Sequence, residues 1–242
     1  MGTESKNQNQ APEEPLKIDL RIVEELTRKI MQRRTISERF RFKMTAQDAF
    51  HLLAAHYAFE VKRRHGTPVF DENTLKNLNE LARYITQDDP KFGVMMSGTC
   101  GNGKTTLLYT LKSAISELLM RGHFGMERNY INGLVIVDAR EITQIAKDLD
   151  EYREYRSLEL LAIDDLGKEP IEVLDYGNVL NPVIDLLEYR YNRQLFTVVT
   201  TNLVPKEIRE KYGARIADRF NEMLEVIRFK DISYRTINRN GG

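Results

Sequence analysis

Residues 98–105 read Gly-Thr-Cys-Gly-Asn-Gly-Lys-Thr and fit the spacing G-x-x-x-x-G-K-[ST]. Gly98, Gly101 and Gly103 let the backbone curl so that successive N–H groups point inward at an anion. A helix beginning near Lys104 adds the positive end of its dipole. Lys104 is placed to reach β- and γ-phosphates, and the Thr105 hydroxyl to ligate Mg²⁺. Thr99, Cys100, Asn102 and Thr106 complete the expected cradle. The chemistry implied is binding of ATP with magnesium.

Two further segments suit the same chemistry. The apolar run 158–163 ends in Asp164-Asp165. A buried strand that delivers carboxylates at its C-terminal end supplies Asp164 to hold Mg²⁺ through water and Asp165 to polarise an attacking water. The β-branched run 195–200 leads into Thr201-Asn202, where the Asn202 amide is placed to orient that water.

These residues need a scaffold, and the periodicity supplies one. Residues 92–97, 134–137, 158–163 and 195–200 are short apolar runs of strand length, and 227–229 suggests another. They alternate with helical patterns through about 120, over 141–149 and over 183–191. This alternation predicts an α/β three-layer sandwich with a parallel sheet covered on both faces. Upstream, Leu20, Val23, Leu26 and Ile30 mark an amphipathic helix. A second helix runs from Thr45 or Asp48 to Gly66, and a third over 71–86 with Leu75, Leu78 and Leu81 as its stripe. The expected organisation is a disordered tail at 1–16, a small helical partner-binding region at 17–66 and an ATPase domain at 67–242.

With these motifs in order, the chain resembles the AAA+ ATPases of the DnaC/DnaI helicase-loader and IstB transposon-helper group. The resemblance rests on residues 98–106, Leu160-Leu161-Ala162-Ile163-Asp164-Asp165-Leu166-Gly167, Thr200-Thr201-Asn202-Leu203, Tyr212-Gly213-Ala214-Arg215-Ile216-Ala217-Asp218-Arg219-Phe220 and Ser233-Tyr234-Arg235. It covers roughly residues 92–236. It implies a sensor 1 role for Asn202. It implies that Arg219 is an arginine finger entering a neighbouring subunit's site, with Arg215 one turn earlier as its support or as the finger itself. It implies that Arg235 is a sensor 2 residue contacting nucleotide in its own subunit. A guanidinium suits these tasks because it is always charged and spreads over phosphoryl oxygens. Asp165 departs from the commoner glutamate, so slow or partner-stimulated hydrolysis is expected. The resemblance implies a helicase loader acting in DNA replication, with the replicative helicase and single-stranded DNA as partners and self-association through the ATP site. The rival readings are a transposase helper and a non-catalytic, nucleotide-switched adaptor. It also implies a DNA-tracking helix within 141–157, where Arg153, Arg156, Tyr152 and Tyr155 offer charge and stacking groups against Asp148, Asp150, Glu151 and Glu154.

Composition is compatible with this reading. Lys+Arg and Asp+Glu are equal at 36 each, so net charge alone points to no polyanionic partner. Residues 17–66, however, hold 12 Lys/Arg against 6 Asp/Glu. Phe40 and Phe42 interleave there with Arg39, Arg41 and Lys43, a pattern that suits a protein or DNA partner. Cys100 is the single cysteine, so no intrachain disulfide forms, as expected of a cytoplasmic protein. No apolar run approaches the roughly 18–20 residues of a membrane helix.

Overall fold

The computed structural model describes residues 18–33, 39–124, 132–175 and 178–230. Five short runs rich in β-branched and apolar residues are strands: β1 (Gly93–Ser97), β2 (Val135–Asp138), β3 (Leu160–Leu166), β6 (Phe196–Thr201) and β7 (Glu225–Arg228). They form one all-parallel sheet in the order β2-β3-β6-β1-β7. A separate antiparallel pair, β4 (Val173–Asp175) and β5 (Asn178–Leu180), lies between β3 and β6 in sequence.

Alternation along the strands divides the core in two. Val94, Met96, Leu160, Ala162, Phe196 and Val198 face one apolar cluster. Met95, Leu161, Ile163 and Val199 face the other. Helices α2 (Ala46–Arg63), α3 (Glu72–Ile85) and α4 (Lys104–Met120) cover the first face. Helices α5 (Ala139–Ile145), α6 (Leu149–Ser157), α7 (Pro182–Arg193) and α8 (Pro205–Met223) cover the second. The three-layer expectation holds. The strand order also places β6 between β1 and β3, with Ser97 and Leu166 both in register with Thr201. The loops that leave these three strands therefore emerge side by side.

The chain divides into two compact units, 1–38 and 39–242. Helix α1 (Leu20–Arg33) belongs to the first. The sequence places a boundary at residues 66/67, whereas this division falls between residues 38 and 39. Ala49 and Leu53 of α2 are fully buried with α3 and α4, and His56 of α2 reaches Ser113 (2.9 Å) and Glu117 (2.8 Å) of α4. An amphipathic helix must bury its stripe, and here the sheet's own helices provide the cover. Residues 1–16, read as a disordered tail, lie outside the described residues.

Phe40 and Phe42 are likewise not a partner-facing pair. They are 5% and 0% exposed and pack in the core, Phe40 against Phe196 with ring centroids 4.7 Å apart. The intervening charges turn outward: Arg39 pairs with Asp89 (3.1 Å) and Arg41 with Asp88 (2.6 Å). Among the described residues no helix is long and apolar enough to cross a membrane.

Candidate nucleotide-binding site

The loop between β1 and α4 is shaped by its contacts. Gly98 has φ 150°, and a Cβ there would meet Asn102 Nδ2 at 2.5 Å and the Phe229 carbonyl oxygen at 2.7 Å. Helix α4 opens on Gly103 without a side-chain cap, which leaves its first N–H groups to an anion. Lys104, 5% exposed, donates to the carbonyls of Gly98 (2.6 Å) and Thr99 (2.7 Å), to Asn202 Oδ1 (2.7 Å) and, at 3.1 Å, to Asn102 Oδ1. Burial pushes its ammonium below the ordinary lysine value, opposed chiefly by Asp165. These acceptors are neutral, whereas phosphate oxygens would meet the ammonium with full charges, a stronger pairing.

Asp164 and Asp165 are consecutive in a strand, so plain alternation would send them to opposite faces. A register shift between Ile163 and Leu166, with Asp165 in the left-handed region at φ 58°, brings both to the site. Thr200 fixes the pair. Its hydroxyl donates to Asp164 Oδ1 (2.5 Å) and accepts from the Asp165 N–H (2.8 Å). Asp164 also accepts from Thr105 Oγ1 at 3.4 Å. Burial pushes the Asp164 carboxyl above the usual carboxylate range, while the Thr200 bond opposes the shift. Asp165 Oδ2 is held by Lys168 Nζ at 2.5 Å.

One polar cavity of about 310 Å³ opens here, lined by residues 100–106 with Arg64, Asp165, Lys168 and Asn202. Beside it lies a second cavity of about 180 Å³ with apolar walls from Tyr57, Val61, Val69, Leu78, Leu107 and Phe229. The two share Arg64, Asn102, Gly103 and Thr106. A polar chamber joined to an apolar slot matches a nucleotide: phosphates in one, a flat base in the other. The slot is the part sequence reasoning missed. Its walls come from α2, the loop after it, α3, α4 and the segment after β7, and nothing in their spacing marks them as neighbours.

Magnesium fits the donor set at Thr105 and Asp164. A hydroxyl and one desolvated carboxylate meet at 3.4 Å, hard oxygens that leave further positions for phosphate and water. Among the described residues no group of three His, Cys, Asp or Glu gathers as an alternative metal centre.

The remaining expectations divide. Asn202, just after β6, accepts from Lys104 through Oδ1 at 2.7 Å. Arg219 and Arg215 do not line the polar cavity of their own chain. Both pair with Glu188 Oε1 of α7, at 3.0 and 3.2 Å, and Arg219 lies over the Tyr191 ring at 4.7 Å. Arg215 is the more exposed, 69% against 14% of the side chain. Arg235 lies outside the described residues. The helix expected over 141–149 ends at Ile145 as α5, α6 follows from Leu149, and the structure corrects the stacking role of Tyr152. That ring is buried, with its hydroxyl donating to the Pro182 carbonyl (2.6 Å), whereas Arg153 stays exposed and pairs with Asp150 (3.1 Å).

No protein-family model matches this chain, and no curated protein sequence matches it. Solved structures do. The DnaC helicase loader superposes with a TM-score of 0.51 at 22% identity, over 66% of this chain and 92% of its own. A primosome-component candidate from Streptococcus pyogenes serotype M3 superposes with a TM-score of 0.52 at 16% identity, over 69% of this chain and 85% of its own. What these share with the present chain is the P-loop AAA+ fold.

Proposed function

We propose that this chain is an ATP-dependent helicase loader of DNA replication, which binds ATP with Mg²⁺ and assembles on single-stranded DNA with the replicative helicase. The observation that carries the nucleotide part is the convergence of Lys104, Thr105, Asp165 and Asn202 on one polar cavity joined to an apolar slot, with Asp164 behind it in reach of Thr105 at 3.4 Å. The fold shared with the DnaC helicase loader supports the replication part. The reading puts the protein in the cytoplasm.

In this reading the loop N–H groups and Lys104 hold the phosphates. Thr105 and Asp164 hold Mg²⁺, which when bound neutralises phosphate charge. Asp165 accepts a proton from the attacking water, and Asn202 orients that water. Lys168 keeps Asp165 engaged at 2.5 Å, which fits an ATPase that is slow until a partner rearranges the site. Arg219 of one subunit completes the site of the next, and Arg235 contacts nucleotide in its own.

Lys104→Ala is expected to abolish ATP binding in titration calorimetry; retained tight binding would overturn the assignment. Capture of a replicative helicase by the ATP-loaded full chain is expected. Capture of a transposase instead would replace the loader reading with the transposition-helper one.

A further inference from the structure

Helix α3 buries the face that carries Thr74, Asn77, Leu78 and Leu81, positions spaced i, i+3, i+4 and i+7, and leaves Leu75 39% exposed. A leucine turned outward and a carboxamide turned inward reverse the usual pattern. Such reversals gather where a ligand, not the core, sets the residue type.

Asn77 is 7% exposed and lines the apolar slot beside the phosphate cavity. Several of the slot's other polar groups are committed, while Arg64 lies over the Tyr109 ring at 4.8 Å. The Tyr57 hydroxyl donates to the Val69 carbonyl (3.1 Å) and also engages Thr74. Asn102 accepts from Lys104 and reaches the Lys230 carbonyl. Among the hydrogen bonds of the described residues none involves the Asn77 carboxamide, which is reached from the slot. A buried amide with a donor and an acceptor side by side, opening on a slot for a flat ring, is matched by a base edge with the complementary pair.

We infer that Asn77 reads the N6/N7 edge of adenine and makes the site selective for ATP over GTP, an inference that rests on the nucleotide reading above. Adenine offers an N6–H donor beside the N7 acceptor, and one carboxamide satisfies both. Guanine offers two acceptors there, O6 and N7, and the Asn77 oxygen would face one of them unpaired. Tyr57, Val61, Leu78 and Phe229 provide the apolar walls for the ring but do not tell one purine from another.

The test is binding of ATP, GTP and 7-deaza-ATP, each with Mg²⁺, to the full chain and to Asn77→Leu and Asn77→Ala, with thermal unfolding to confirm that each variant folds. The native chain is expected to prefer ATP over GTP by about 10- to 100-fold, and to lose roughly tenfold with 7-deaza-ATP. In both variants ATP affinity is expected to fall toward that of GTP while GTP affinity stays within about twofold, since the phosphate contacts are untouched. An unchanged ATP:GTP ratio in the folded variants, or 7-deaza-ATP binding as tightly as ATP, overturns the role of Asn77 and leaves the nucleotide site standing. Failure of the native chain to bind any of the three overturns both.

Discussion

Thr200 shows how much a single hydroxyl decides at this site. It donates to the Asp164 carboxylate and accepts from the Asp165 backbone, so both acids take their positions from one oxygen on the neighbouring strand. Valine has the same shape without the hydroxyl. Thr200→Val is therefore expected to leave the half-buried Asp164 carboxylate short of a donor and the Asp165 N–H without its acceptor. A loss of about 1–3 kcal/mol in unfolding free energy is expected, measurable by denaturant titration. ATP hydrolysis is expected to fall by about tenfold or more, since the carboxylates lose their alignment. Unchanged turnover would mean that the strand backbone alone positions the acids. Asp165 carries the complementary signal. Its left-handed φ of 58° is uncommon outside glycine, and the backbone departs from a regular strand where the site requires both carboxylates.

At the scale of elements, α8 is tied to the loop that follows β3. Glu169, 3% exposed, accepts from the Gly167 N–H (2.8 Å) and from the Tyr212 hydroxyl, and Lys211 donates to the carbonyls of Gly167 (2.7 Å) and Glu169 (2.6 Å). The runs around Gly167 and Tyr212 that made the sequence recognisable are thus one contact. Just beyond it α8 kinks at Gly213 (φ 84°, ψ 163°), a backbone position that only glycine adopts freely. After the kink come Arg215 and Arg219, steered by Glu188 of α7. The finger proposal belongs to this helix. Arg219→Ala is expected to leave ATP affinity unchanged while hydrolysis per chain no longer rises with protein concentration. If a dilute, monomeric sample hydrolyses ATP equally well with and without Arg219, its role in trans fails.

For the whole molecule, the decisive point is where the folded unit begins. Phe40 and Phe42 sit in the same core as β6 and α4, although they precede every element of the sheet. A chain beginning at residue 39 is expected to fold and to bind ATP as the full chain does, with an unchanged melting temperature. A chain beginning at residue 45 loses both rings, each removal costing about 3–5 kcal/mol in a packed core, and is expected to unfold at markedly lower denaturant. Equal stability of the two truncations would remove these rings from the core account. The basic excess of 17–66 also changes meaning at this scale. Arg39 and Arg41 pair with Asp89 and Asp88 of the same 39–242 unit, and Arg63 with Glu60 of its own helix, so part of that charge is structural.

The phosphate loop, the acidic strand end and the parallel α/β plan were legible in the sequence because each rests on local rules. Glycine spacing sets the loop, apolar runs set the strands, and the order of motifs follows the chain. What the sequence left open needed neighbours distant along the chain. Asp165 reaches the site only through a shift against β6, and the apolar slot draws its walls from α2, α3, α4 and Phe229. Phe40 and Phe42 read as a basic-aromatic patch because charged residues flank them in sequence; in the fold the rings turn inward and the charges turn out. Local spacing thus identified the glycine loop and the acids that meet it. Only tertiary packing decided which side chains meet across the sheet, because burial of an apolar or unpaired polar group depends on everything packed around it.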